Sequence, residues 1–323
     1  MAILVTGGAG YIGSCCARML YDAGYEVIIV DNLSKGHKEA AGKCRLYVGN
    51  IGDAEFMDKV LTENKIDGVM HFAAYSLVGE SMKEPMMYYE NNVGESMRFF
   101  RSLIKHNVTN LVFSSTAATY GMAEVMPITE EAPNVPINTY GETKLAIERM
   151  LKWYSQAYGL NYTVLRYFNV AGAHKSGEIG EAHNPETHLI PIVLQAAAGI
   201  RDRLKIFGND YPTPDGTNIR DYIHVMDLID AHILAYERMK NTGLGGTFNL
   251  GSGGGYSNLE ILENARRITG KTIPCDFEER RPGDPPILVA SSALAESTLG
   301  WKRNNTIETI IEDAWRWHSN VKF

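Results

Sequence analysis

Short apolar runs alternate with helical periods through the first half of this chain, and that alternation leaves few folds open. Ala2–Thr6, Glu26–Val30, Leu46–Val48, Gly68–Phe72, Leu111–Ser114 and Thr163–Tyr167 have strand length and read as buried strands. Between them lie helix-period segments: Ile12, Cys16, Met19 and Leu20 up to a stop at Gly24, then residues 53–63, then Pro85 to about Lys105. Leu145, Ile147, Met150, Leu151, Tyr154 and Tyr158 form another stripe, opening at Tyr140. Apolar strands separated by helices imply a parallel sheet covered on both faces, with right-handed crossovers. The expected class is α/β, a Rossmann-like doubly wound parallel sheet. Ligands of such sheets lie beyond the carboxyl ends of the strands, and Gly7–Gly13, Asp31, Asn50, Phe72 and Thr116 all fall there.

The first strand runs into Gly7-Gly8-Ala9-Gly10-Tyr11-Ile12-Gly13, and a helix follows. Glycine at this place permits a tight turn and lets backbone N–H groups approach a pyrophosphate at the helix N-terminus. Asp31 ends the second strand about 20 residues on, where an acid accepts a ribose 2′-hydroxyl and repels the extra phosphate of NADP. The expected cofactor is therefore NAD.

Tyr140 and Lys144 stand four apart at the start of a helix and so share a face. A cation beside the phenol favours the phenolate, which turns a weak base into a usable one. Thr116, just past the fifth strand, can relay a proton between substrate and Tyr140 or cap a turn.

Past Phe168-Asn169 the texture changes. Residues 171–187 mix glycine, histidine, proline and acids, suiting an irregular crossing into a second, smaller region. There the sequence predicts a helix from His188 to Ala198, a strand over 204–207, a turn-rich loop over 208–217, and a helix from Met226 to about Lys240. A strand near 245–250 and helices over 257–269 and 306–318 complete it. Gly251-Ser252-Gly253-Gly254-Gly255 lacks the lysine of a P-loop and reads as a flexible turn. Arg220 and Arg281 can clamp a diphosphate or sit solvated at the surface. His174, His183 and His188 crowd one segment without i, i+4 ligand spacing to a carboxylate, so no metal is expected. A net charge of −7 argues against nucleic acid. The four cysteines show neither metal spacing nor a disulfide framework, no apolar run reaches membrane-span length, and Met1 leads directly into a strand without a basic leader. A cytoplasmic protein without a membrane partner is expected.

With these residues in place, the chain resembles the extended short-chain dehydrogenase/reductase family and, within it, the epimerase branch. The resemblance rests on Val5–Gly13, Asp31-Asn32-Leu33, Val78–Ser81, Tyr89–Val93, Leu165–Asn169, Ile206–Tyr211, Arg220–Asp227 and Arg280–Asp284, and runs from residue 1 to about 318. It implies epimerisation at carbon 4 of UDP-glucose and UDP-galactose through a 4-keto intermediate, with bound NAD. Tyr140 becomes the base, with Lys144 and Thr116 beside it. The cofactor set becomes Gly7, Gly10, Tyr11, Ile12, Gly13, Asp31, Asn32, Asn50, Ile51, Phe72, Ala73, Ala74, Asn91, Tyr140, Lys144 and Phe168. The UDP-sugar would meet Thr116, Tyr140, Asn169, Leu189, Phe207, Arg220, Arg281 and Asp284, with Leu288 facing the sugar's 2-substituent.

By the same resemblance, residues 1–169 form an NAD-binding domain to which roughly 219–250 return, and 170–323 are mainly the UDP-sugar region. A homodimer through helices near 86–104 and 140–157 is the family expectation. Three positions depart from the pattern: Thr116 where serine is commoner, Asn50 in place of an acid near the adenine, and Ser76 where some members carry lysine. Leu288 is smaller than tyrosine, which opens the site to UDP-N-acetylhexosamines. The Ala117-Ala118 pair after Thr116 lacks the acids of a 4,6-dehydratase. A catalytically silent NAD-binding protein is the rival from another class, and the retention of Thr116, Tyr140 and Lys144 weighs against it.

Overall fold

The structure, a computed structural model, describes residues 2–281 and 283–323. Met1, ahead of the first strand, and Pro282, in the charged loop over 280–284, lie outside the described residues. The opening half alternates as expected: β1 (Ala2–Thr6), α1 (Tyr11–Asp22), β2 (Glu26–Asp31), β3 (Arg45–Val48), α2 (Ala54–Glu63), β4 (Ile66–His71), α3 (Glu95–Lys105), β5 (Asn110–Thr116), α4 (Thr139–Tyr158) and β6 (Asn161–Tyr167). The remaining main elements are α5 (Leu189–Ala197), β7 (Leu204–Phe207), α6 (Val225–Thr242), β8 (Gly246–Leu250), α7 (Asn258–Thr269), β9 (Cys275–Glu278), α8 (Ala293–Leu299) and α9 (Ile307–His318).

Seven strands form one parallel sheet in the order β8-β6-β5-β4-β1-β2-β3. The order reverses beside β1, so the turn after β1 opens at the crevice where the two halves of the sheet diverge. Alternate residues of β1 serve opposite faces. Ile3 and Val5 pack with Cys15, Cys16 and Leu20 of α1 and with Leu228 and Ile229 of α6. Ala2 and Leu4 pack with Phe99, Phe100, Ile147 and Leu151. A strand buried on both sides has no room for polar alternation, which is why these strands read as unbroken apolar runs. A third core joins Val193 and Leu194 of α5, Ile261 and Leu262 of α7, and Ile310 and Ile311 of α9. The paired strands β7 and β9 lie against it.

Local chemistry sets the helix ends. The Asn138 side chain accepts from the Gly141 N–H at 2.8 Å to start α4, and Gly159 in the left-handed region ends it. Ser257 and Glu260 close a capping box on α7. One expectation is corrected: the segment from Pro85 to Lys105 is not a single regular helix. A short turn over Pro85–Tyr88 passes into a π-helical stretch, Tyr89–Gly94, before α3 begins. Widening the ladder there leaves Asn92 fully buried, holding Tyr75 N at 2.8 Å and Thr143 Oγ1 at 3.1 Å, while Asn91 stays half-exposed. A hydrophobic period cannot reveal such a change, because one extra residue in a turn hardly disturbs the stripe.

Trp317 is fully buried and donates its indole N–H to the Glu181 carbonyl at 2.8 Å, fastening α9 to the loop ahead of α5. Trp317→Ala should cost about 3–5 kcal/mol, read as a lowered denaturant midpoint at unchanged slope.

Candidate active site

The strand ends open on a cleft of about 1690 Å³, adjoined by a second of about 650 Å³. The larger exceeds the 300–1,000 Å³ usual for one small ligand, leaving space for two. Gly7, Gly10, Tyr11, Ile12, Gly13, Asp31, Asn32, Asn50, Ile51, Phe72, Ala73, Ala74, Asn91, Thr116, Tyr140, Lys144, Phe168, Asn169, Arg281, Asp284 and Leu288 all line the first. Leu189, Phe207 and Arg220 line the second, which shares Asn169, Arg281 and Asp284 with it. Every candidate catalytic, cofactor and substrate residue thus meets one continuous space. The glycine run after β8 lines neither cavity.

The β1–α1 turn is shaped for a dinucleotide. Gly7 has φ +69°, and a Cβ there would stand 2.7 Å from the Ala73 nitrogen. A Cβ on Gly13 would collide with the Gly7 carbonyl. Gly10 caps α1 without a side-chain bond, so the first N–H groups of the helix face the cleft without intrahelical partners. Asp31 is buried at the end of β2, where its carboxylate accepts Ala9 N–H at 3.0 Å and Leu33 N–H at 2.8 Å. Those bonds hold the acid across the crevice from the glycines, so the residues present fit NAD.

Thr116 ends β5 and also caps the short turn after it, its hydroxyl oxygen accepting the Ala118 N–H at 3.1 Å. Capping uses a lone pair and leaves the hydroxyl proton free, so the two sequence readings are compatible. Tyr140 sits in the first turn of α4 with its N–H on Ser81 Oγ at 3.1 Å. Lys144 lies one turn on, donates to the Ser114 carbonyl at 2.9 Å, and holds its ammonium 6.0 Å from the Tyr140 ring centroid and 4.9 Å from that of Phe113. The shared face is as expected, but the electrostatics differ. Burial pushes the Tyr140 phenol up to about 12, and only its hydrogen bond with Thr116 draws it back. The same burial pushes the Lys144 amine down to about 7 against the pull of Glu148. In a dry pocket desolvation outweighs the attraction the sequence suggested between the two.

Arg220 is no solvated surface arginine: its guanidinium is mostly buried and pairs with Asp284 at 2.6 Å. Asn218 holds the other oxygen of Asp284 at 2.9 Å. Arg281 stacks on the Phe207 ring at 4.0 Å from its centroid. One buried residue that sequence reasoning passed over ties this group together. The Asp221 carbonyl accepts from the Asn169 backbone N–H at 3.1 Å and side chain at 2.9 Å, and the Asp221 N–H donates to Leu288 at 3.1 Å. Its carboxylate, kept above the usual range by burial, accepts Ser252 N–H at 2.5 Å and Ala290 N–H at 3.0 Å. Nothing in the linear sequence marks Asp221 apart from its place beside Arg220. The histidine segment also looks different in space. His174 turns away to Ser176, 2.8 Å off, whereas His183 and His188 meet Glu181 and Glu186.

The model of the NAD dependent epimerase/dehydratase family matches residues 3–251. The chain belongs to the NAD dependent epimerase/dehydratase family. A UDP-glucose 4-epimerase from Halalkalibacterium halodurans is 54% identical over 319 residues, 98% of this chain and 96% of its own. A solved UDP-glucose 4-epimerase superposes with a TM-score of 0.98 at 51% identity, covering 99% of this chain and 98% of the other. The enzyme from Bifidobacterium longum, solved in complex with NAD+ and UDP, gives a TM-score of 0.93 at 37% identity, with 99% of both chains covered. Family membership is the coarse fact, and it agrees with a cleft built for a dinucleotide and a second ligand.

If Lys144 is neutralised by burial, stability must respond to pH. Between about 7 and the ordinary 10.5 the unfolded chain keeps a proton that the folded one has released. Folded stability therefore rises with pH through that window, by at most about 1.4 kcal/mol per unit. Ligand-free protein compared with Lys144→Met in denaturant titrations at pH 7, 8.5 and 10 should show this rise in the wild type alone.

Proposed function

We propose that this chain interconverts UDP-glucose and UDP-galactose by inverting carbon 4, with NAD retained through turnover. The observation that carries the reading is the meeting of half-buried Tyr140 with buried Lys144 and Thr116 in a dinucleotide cleft, in a chain that matches UDP-glucose 4-epimerases over nearly its whole length. Residues 1–169, with roughly 219–250 returning, would carry the cofactor, and 170–323 mainly the UDP-sugar. The glycine turn would hold the pyrophosphate, Asp31 the ribose, and Phe168 the nicotinamide side. Held there, NAD would supply reversible hydride exchange at carbon 4, and the positive charge of its oxidised ring would favour a phenolate at Tyr140.

The side chains do the rest. Tyr140 removes the proton from the 4-hydroxyl and later returns one, with Thr116 relaying between them. Lys144 stands beneath the phenol and donates to the Ser114 carbonyl, holding that side of the pocket in place. Arg220, Arg281 and Asp284, with Asn169, Leu189 and Phe207, would grip the UDP end. Firm anchoring of the diphosphate and loose contact with the sugar let both faces of the ring be presented. Leu288 is half-buried at the cleft, and its modest volume supports acceptance of UDP-N-acetylhexosamines. A homodimer is supported by large apolar side chains exposed on the two segments expected to pair: Met86, Tyr89 and Met97 on one, Trp153 and Tyr158 on the other. A cytoplasmic setting is supported by four unpaired cysteines, and no helix among the described residues is long and apolar enough to cross a membrane.

Purified protein given UDP-galactose without added NAD should form UDP-glucose, and Tyr140→Phe should lose about 10²–10⁴-fold in kcat with UDP affinity kept. No product even with NAD supplied would overturn the reading. Sedimentation should give a dimer, with Trp153→Asp shifting it to monomer; a wild-type monomer would end the dimer proposal.

A further inference from the structure

Outside the catalytic group, one cluster in the loop before α5 is unexplained by the epimerase reading. Glu181, His183, Glu186 and His188 present four ligand atoms that all lie within 4.8 Å of one another. Nδ1 of His188 is 2.7 Å from Glu181 Oε1 and 3.4 Å from Glu186 Oε1. Nδ1 of His183 is 3.0 Å from Glu181 Oε1 and 3.9 Å from Glu186 Oε2. Ligands about 2.0–2.2 Å from a tetrahedral zinc stand roughly 3.3–3.6 Å apart, and these separations bracket that value. Both carboxylates are buried, and among the described residues the two imidazoles are the only basic side chains within 4.0 Å of either. His183 Nδ1 is sealed from solvent and has no hydrogen-bond partner, although Glu181 Oε1 stands 3.0 Å away. A buried nitrogen that stands beside carboxylates without bonding to them is placed as a metal ligand would be. Two carboxylates and two neutral imidazoles carry −2, which a divalent cation cancels.

We infer that Glu181, His183, Glu186 and His188 form a structural zinc site that locks the loop joining the two halves of the molecule. Nitrogen and carboxylate donors in a four-fold set suit zinc over magnesium or calcium, which prefer oxygen alone. With all four positions filled by protein, no place is left for a reacting water, so the role is structural. The surroundings supply outer support. Glu186 also accepts the N–H groups of Thr187 and His188 at 2.7 and 2.8 Å, and Trp317 holds the Glu181 carbonyl. Because Leu189 follows directly as the first residue of α5, the ion would fix the approach to the UDP end of the cleft.

The test uses the untagged full chain, incubated with zinc chloride, passed through gel filtration, and assayed for metal by mass spectrometry. About one zinc per chain is expected, with little or none retained by Glu181→Gln or His183→Ala. Cobalt(II) in place of zinc should give the intense visible bands of a four-coordinate site in wild type only. Circular dichroism confirms that each variant is folded, and the wild-type metal content decides the matter even if one is not. A wild type that retains no zinc would overturn the proposal, as would variants that retain as much as wild type. A chelator should lower the wild-type Tm and leave the variants unchanged; a wild-type Tm indifferent to chelator would remove the structural role.

Discussion

Everything in this molecule follows from a sheet whose strands all run the same way. A parallel sheet must be covered on both faces, so each strand hands the chain to a helix and the next strand begins again at the far end. Every loop that follows a strand therefore opens on one rim. Asp31, Phe72, Thr116 and Phe168 are separated by dozens of residues and share a cleft because each ends a strand or comes just after one. The same geometry excludes water from the middle of that rim. It forces Tyr140 and Lys144 into a desolvated pair whose proton affinities move apart, up for the phenol and down for the amine.

How much of this was legible in the sequence depends on how local the cause is. The strands of the main sheet could be read because double-sided burial writes itself as unbroken apolar runs. The glycine turn could be read because only glycine tolerates the approach of Gly7 to Ala73. The helix of Tyr140 and Lys144 showed itself through its period. What stayed hidden depends on contacts between distant segments. The π-helical stretch at Tyr89–Gly94 leaves the hydrophobic stripe almost unchanged while burying Asn92. The strand at Cys275–Glu278 depends on its pairing with Leu204–Phe207, and its own alternation runs over only four residues, too short a stretch to mark it. A spacing of four implies that Lys144 lowers the phenol, whereas burial, which no spacing shows, raises it.

Asp221 and the Glu181–His188 loop mark the same limit at the level of function. Asp221 touches Asn169, Ser252, Leu288 and Ala290, drawn from three stretches of the chain. A single residue, through its backbone and its carboxylate together, thus sets the relative positions of residues that face the substrate end. In the loop, a test for helical spacing between histidines and acids finds nothing, because the ligand atoms converge through the path of an irregular segment. Irregular backbone can build a polar site as accurately as a helix when buried partners fix it, and here Trp317 and Tyr11, the latter on the Gly172 carbonyl at 2.7 Å, do the fixing.

The place of β8 in the sheet has a consequence for how the protein is made. β8 is the seventh strand, yet it pairs with β6 from about eighty residues later in the chain. Until it has left the ribosome, β6 presents an open edge with unpaired N–H and C=O groups. The part of the core that Trp301 covers stays bare for longer still. A nascent chain paused between residues 170 and 300 is therefore an aggregation-prone intermediate. Chaperone demand during synthesis is thus concentrated in the second half of translation, after the cofactor-binding strands are already formed.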